Sequence, residues 1–209
     1  MTVTVTGYQW WWEAAYGDFT VANEIHIPVG IPVLLKLESA DVIHSFWVPA
    51  LAGKTQLIPG LVNRQWIEAD KPGLYSGQCA ELCGAQHAHM AFEIVAQNPP
   101  DFRAWENHQR EAALPLSDEN AAAGQKVFMN NCAGCHTIHG TAADGIYAPD
   151  LTHLQSRRLI AAGLMTNTPE NLADWVAHAQ ELKPDSLMPD IALPPAEAAA
   201  LTAYLSTLK

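Results

Sequence analysis

All four cysteines of this 209-residue chain fall in two short segments, and both segments have metal-binding spacing. The first runs Cys79-Ala80-Glu81-Leu82-Cys83-Gly84-Ala85-Gln86-His87-Ala88-His89-Met90. Soft thiolates and imidazoles suit copper, and a thioether suits a weak axial bond. A copper site in a β-sandwich takes one ligand from a rigid strand end and the rest from one wrapping loop; His44 is the strand candidate. Two cysteines four apart can bridge a pair of copper ions. Each copper then takes one imidazole, from His44 and His87, with Met90 and the Glu81 carbonyl as weak outer ligands. Bridging thiolates would spread one unpaired electron over both metals, so geometry changes little on redox. The competing readings are a Cys79–Cys83 disulfide or a zinc site. Neither explains Met90 three residues past His87. His89 is the local competitor to His87, and His26 reads as structural.

The second segment is Cys132-Ala133-Gly134-Cys135-His136. Cys-x-x-Cys-His is the spacing of covalent c-type haem attachment, with both thiols on the haem vinyls and His136 on the iron. A thioredoxin-like redox pair is the competing reading, but the motif follows a capped helical stretch and no βαβ pattern. For the sixth iron position the chain offers Met188, in Lys183-Pro184-Asp185-Ser186-Leu187-Met188-Pro189, and Met165 as its competitor. Met/His ligation raises the potential. The prolines flanking Met188 favour it; Met165 reads better as core packing. His108, His139, His153 and His178 have no ligand spacing, and Trp175 reads as a neighbour of the haem or as core. Two redox centres imply electron transfer. Apart from these ligands, no nucleophile–base pair or acid–base pair is visible.

The elements that must hold these residues differ between the two halves. Residues 1–97 read as all-β, with strands at 2–6, 24–28, 32–37, 42–48, 64–69, 74–78 and 90–96. Turn residues at Gly53, Pro59-Gly60 and Lys71-Pro72-Gly73 separate them. Many short strands with regular turns predict a Greek-key sandwich. Asn98-Pro99-Pro100 ends that region, and a polar amphipathic stretch, 101–113, reads as a short helix within a linker, 98–117. Residues 118–209 read as all-α. Ser117 or Asp118 caps a helix over 119–130; Thr168 with Pro169 opens another, to about Glu181; Pro194-Pro195 opens the last.

Composition excludes several classes. The net charge is −11, with 11 basic and 22 acidic residues, which disfavours nucleic acid. Both halves are acidic, which suits a basic protein partner. Hydrophobic content of 49% supplies ordinary cores. No run of about eighteen apolar residues marks a membrane span, and no signal peptide is visible.

Residues 1–97 resemble the soluble domain of cytochrome c oxidase subunit II, which carries the binuclear CuA centre. The matching pieces are Gly7-Tyr8-Gln9-Trp10-Trp11-Trp12, Asp41-Val42-Ile43-His44-Ser45-Phe46-Trp47-Val48-Pro49, Lys54–Gly60 and Pro72–Gly84. The resemblance implies a cupredoxin fold and the ligand set His44, Cys79, Glu81, Cys83, His87 and Met90. It implies that the Glu81 carboxylate faces a magnesium shared with subunit I, and that Trp10 is the electron entrance, an exposed docking aromatic; plain packing is the alternative for the Trp10–Trp12 run. Residues 118–209 resemble a class I cytochrome c. There Pro149 would set the His136 tautomer, and Arg157 would reach a haem propionate or stay a solvated charge.

A CuA domain followed by a cytochrome c domain resembles subunit II of a caa-type cytochrome c oxidase. The family implies a donor cytochrome or other carrier, a relay through haem c to CuA, and subunit I as the place of oxygen reduction. The chain is then an enzyme only within the assembled proton-translocating oxidase. It implies the extracytoplasmic (periplasmic) face of a bacterial membrane. The family places a transmembrane hairpin before this region, so the expectation is a water-soluble piece beginning at an added or internal Met1. The alternatives are a subunit of a CuA-containing nitric oxide or nitrous oxide reductase, or a free-standing carrier or copper-handling protein. Cys79-x-Glu81-x-Cys83 favours the oxygen reductase.

Overall fold

The computed structural model describes residues 1–209, which divide into two compact units. The first takes in Met1–Arg110 with Ala162–Leu164, and the second the remainder.

The first unit is a two-sheet sandwich. One sheet holds β1 (Thr2–Tyr8), β2 (Trp11–Ala15), β3 (Thr20–Ala22), β5 (Val33–Ser39) and β8 (Asn63–Ile67), in the order β3-β2-β1-β5-β8. The other holds β4 (Glu24–Pro28), β6 (His44–Trp47), β7 (Thr55–Leu57), β9 (Gly73–Cys79) and β10 (Ala91–Gln97), in the order β4-β10-β9-β6-β7. Strand residues alternate between faces. Val3 and Val5, then Val33, Leu35 and Leu37, then Phe92, Ile94 and Ala96, all point inward and are buried. β2, β3 and β7 are additional to the strands read from the sequence. Two of the five residues of the Trp11–Ala15 strand are tryptophans, and the other two strands are three residues long.

Trp12 centres this core. Its ring meets Phe46 edge-on at 5.9 Å and Phe92 at 5.1 Å, geometries that aromatic quadrupoles favour. The core reaches the end of the sandwich where β6 begins and β9 stops. Phe46 pairs with Cys79 across that ladder. Helix α1 (Pro99–Gln109) seats Phe102 in the same core and lays Trp105 flat on His26, with centroids 4.1 Å apart.

The second unit is mainly helical: α2 (Glu119–Asn131), α3 (Pro169–Ala177), α4 (Ala179–Leu182) and α5 (Pro195–Leu205). Asp118 caps α2 by accepting from the Ala121 N–H at 2.8 Å, and Thr168 caps α3 through the Asn171 N–H. α2 and α5 cross at Gly124, where a Cβ would stand 1.9 Å from the Ala200 carbonyl oxygen. Glycine is what lets these backbones touch. A two-residue ladder, β11 (Leu159–Ile160) with β12 (Met165–Thr166), and an isolated bridge between Thr137 and Asp144 make this unit mainly rather than purely helical, short of the all-α expectation. The helix expected from Thr168 to Glu181 is broken at His178 into α3 and α4. No helix is long and apolar enough to cross a membrane.

Candidate metal centres

The sandwich brings together side chains that lie far apart in sequence. His44 opens β6 and is fully buried. Cys79 closes β9, and a main-chain bond from its N–H to the Met90 carbonyl brackets the loop between them. Cys79 Sγ lies 3.9 Å from His44 Nδ1, 3.8 Å from Cys83 Sγ and 3.3 Å from the Glu81 carbonyl oxygen. Cys83 Sγ lies 3.6 Å from His87 Nδ1 and 3.8 Å from Met90 Sδ. Four further donor groups thus converge on one buried pair of sulfurs. His89 is turned away; it is exposed and its Nδ1 meets Gln86 Oε1 at 2.8 Å. His26 packs under Trp105, far from this loop.

Supporting residues fix the donors. His44 Nε2 donates to Asp41 Oδ1 at 2.7 Å, which leaves Nδ1 free to face the sulfurs. Asp41 also accepts from the main-chain N–H groups of Gln9 and Val42, both at 2.6 Å. The Gln9 amide and the Trp10 indole donate to the Cys83 carbonyl at 2.7 and 3.0 Å. The Trp12 indole donates to the Met90 carbonyl at 3.3 Å. Gly7 makes room for the imidazole, since a Cβ there would stand 2.9 Å from His44 Cδ2.

Trp10 is 7% exposed. The expectation of an exposed docking aromatic at this position is therefore corrected: the hydrogen bond to Cys83 draws the ring into the core beside the loop. Asp41 and Gln9 have roles that the sequence reading did not assign. The available signal was the Asp41-x-x-His44 spacing, which lets a carboxylate reach back to an imidazole.

The electrostatics match a metal site. The Cys83 thiol donates to Cys79 and holds the Cys79 pKa far below the ordinary thiol value, against burial and with help from His44. The same contact, with burial, pushes Cys83 up. One contact thus lowers one thiol and raises the other, and binding of a cation by both sulfurs would release their protons. Burial opposes an imidazolium at His44, but Asp41 and Cys79 outweigh it and raise its pKa. Two thiols, two imidazoles, a thioether and a carbonyl are a donor set for copper. The Glu81 carboxylate points elsewhere and accepts from Gln56 Nε2 at 3.0 Å.

In the second unit, α2 delivers Cys132 at its C-terminus, and Cys135 and His136 follow in a tight turn onto the Cys132 carbonyl. Cys132 is half-buried and burial raises its thiol to about 11, while Cys135 is exposed. His136 Nδ1 donates to the Pro149 carbonyl at 2.7 Å, leaving Nε2 as the lone-pair nitrogen. Burial lowers the His136 pKa and keeps the ring neutral. The Pro149 loop returns to the motif, because Tyr147 and Ala148 donate to the Cys135 carbonyl. The Arg157 guanidinium donates to the Asp150 carbonyl and braces the same loop. Ile146 and Tyr147 are 83% and 74% exposed, an apolar surface that a macrocycle attached at Cys135 would cover. These residues fit a covalent haem. Met165 packs against the helical core, whereas Met188 is half-buried on the loop after α4.

Comparison with known proteins agrees with this geometry. Residues 19–98 match the family described as cytochrome C oxidase subunit II, periplasmic domain, and residues 121–209 match the cytochrome c family. The crystal structure of the periplasmic domain of subunit II of cytochrome oxidase from Bradyrhizobium japonicum is 34% identical. It covers 53% of this chain and 93% of its own, with a TM-score of 0.51. The chain belongs to the cytochrome c oxidase subunit II family. Within that family, the subunit 2 of Alkalihalophilus pseudofirmus is 41% identical over 99% of this chain, and that of Bacillus sp. strain PS3 is 32% identical over all of it. The chain spans 61% and 62% of the length of these two subunit II relatives. The cupredoxin-like sandwich and the cytochrome c domain are thus both accounted for by subunit II sequences.

Proposed function

We propose that this chain is the electron-transfer part of a caa-type cytochrome c oxidase subunit II, on the extracytoplasmic face of a bacterial membrane. It would take electrons from a donor at haem c, pass them to CuA, and deliver them to subunit I for oxygen reduction. In this reading a CuA domain spans 1–97, a connection 98–117 and a class I cytochrome c domain 118–209. His44, Cys79, the Glu81 carbonyl, Cys83, His87 and Met90 hold two copper ions. Cys132, Cys135 and His136 hold the haem, with Met188 as the sixth iron ligand and Pro149 and Arg157 fixing the proximal side. Once bound, the two cofactors supply one-electron chemistry at low structural cost; the protein supplies burial, orientation and tuning. Glu81 is assigned the magnesium shared with subunit I, held ready by Gln56.

The observation that carries the reading is the convergence of His44, Cys79, Cys83, His87 and Met90 on two buried sulfurs, in a chain that also carries Cys-x-x-Cys-His. The test is made in the assembled oxidase. Cys79→Ser is expected to abolish donor-driven oxygen uptake while the haem c remains reducible by the donor. Uptake retained at the wild-type rate, or an assembled enzyme that consumes nitric oxide or nitrous oxide in place of oxygen, would overturn it.

A further inference from the structure

The loop carrying Met188 is organised around a single amide. Gln180 lies in α4, half-buried. Its Nε2 donates to the Met188 carbonyl at 2.6 Å and to the Ser186 carbonyl at 2.7 Å, and lies 3.2 Å from Ser186 Oγ. An amide nitrogen has two hydrogens, so both are committed to this loop. The Gln180 main-chain N–H donates to Asp190 Oδ1 at 2.7 Å. One residue therefore fixes the loop at Ser186, Met188 and Asp190.

Apolar packing does not do this work. Leu187 is 88% exposed, and Pro184, Asp185, Pro189 and Asp190 are exposed as well. Asp185 adopts the left-handed region, φ 66°, which is uncommon for a residue other than glycine. The loop ends are pinned: Lys183 Nζ donates to the Ala161 carbonyl at 2.9 Å, and Ile191 N–H to the Val176 carbonyl at 2.9 Å. Between those pins the polar tie to Gln180 sets the path of the chain.

We propose that Gln180 is a positioning residue for the axial methionine: it presents Met188 by holding that residue's own carbonyl. This rests on the assignment of Met188 as the sixth iron ligand. A thioether is a weak ligand, and preorganising it lowers the ordering cost of its bond. Releasing the loop would let an outside ligand compete.

The test uses the ferric holoprotein with covalent haem. Two quantities are read: the near-infrared thioether-to-iron charge-transfer band, and the affinity for added imidazole. Gln180→Ala, and Gln180→Glu, which sets a carboxylate against the two carbonyls, are each expected to weaken the band and raise imidazole affinity about tenfold or more. Covalent haem content should stay unchanged. Met188→Ala should abolish the band. If Met188→Ala abolishes it while both Gln180 variants leave band and affinity at wild-type values, the positioning role is wrong. If Met165→Ala abolishes it and Met188→Ala does not, the ligand assignment fails instead, and the proposal with it.

Discussion

At the scale of single residues, the copper loop depends on groups that donate nothing to a metal. Asp41 is the clearest. Removing its carboxylate leaves the buried His44 Nε2–H without an acceptor, at a cost of about 1–3 kcal/mol, and frees the ring to rotate. Asp41→Ala is expected to weaken copper affinity about 10- to 100-fold in a competition titration against a chelator; an unchanged affinity would refute the orienting role. Gly7 acts by absence. Gly7→Ala would put a methyl 2.9 Å from His44 Cδ2, so the imidazole must shift. The expected outcome is a perturbed copper EPR spectrum with strand β1 still folded, and an unaltered spectrum would show that the ring has slack. The side chains that meet here, His44, Cys79, Cys83, His87 and Met90, stood out in sequence because cysteine, histidine and methionine at tight spacing have few other uses. Asp41, Gln9 and Gly7 were not, because their roles lie in contacts across the sandwich that no local pattern encodes. The burial of Trp10 was hidden for the same reason: an aromatic reads as exposed or buried only once its hydrogen-bond partner, the Cys83 carbonyl, is placed.

At the scale of elements, α1 shows how a segment with weak local signal is anchored. Its Trp105 lies on His26 and edges Tyr16 and Phe19, and Arg110 pairs with Asp18 at 2.9 Å. Burial lowers the His26 pKa from 6.5 to about 4, with the Gln97 contact resisting. A folded-state pKa below the unfolded value means that the unfolded chain binds the extra proton first. The neutral ring's contribution is therefore whole above pH 6.5 and lost as pH falls towards 4. The loss reaches about 3 kcal/mol. His26→Phe should keep the stack and remove this acid sensitivity, as read by chemical denaturation at several pH values. An unchanged pH dependence would place the effect elsewhere. Gly124 is the corresponding point in the helical unit. Gly124→Ala should cost about 1–3 kcal/mol or more by overpacking the α2–α5 crossing, read as a lower Tm of the haem domain. Most long strands were legible from period-two burial and most helix starts from their caps. β3 and β7 were too short to show a period. β2 hid in a run of tryptophans. The break at His178 was invisible, because no glycine or proline between Asn171 and Leu182 marks the point where the chain turns to begin α4.

At the scale of the whole molecule, the charge of −11 bears on the donor. Acidity in both halves would steer a basic carrier to the chain, and salt screens such steering over about 10 Å at 0.1 M. Electron uptake from a basic cytochrome should slow as ionic strength rises, in stopped-flow reduction of the haem; a rate indifferent to salt would exclude electrostatic steering. The family and the two-unit plan were readable here because two chemically specific motifs sit in segments of opposite secondary structure, so each motif corroborates its surroundings. The measurement that bears most directly on the central claim is metal content with copper EPR on the fully reconstituted, oxidised protein. Two coppers per chain are expected, with the seven-line hyperfine pattern of one electron shared by two nuclei, beside one haem that resists acid extraction. A single copper with a four-line pattern, or a haem that leaves in acidified solvent, would contradict it.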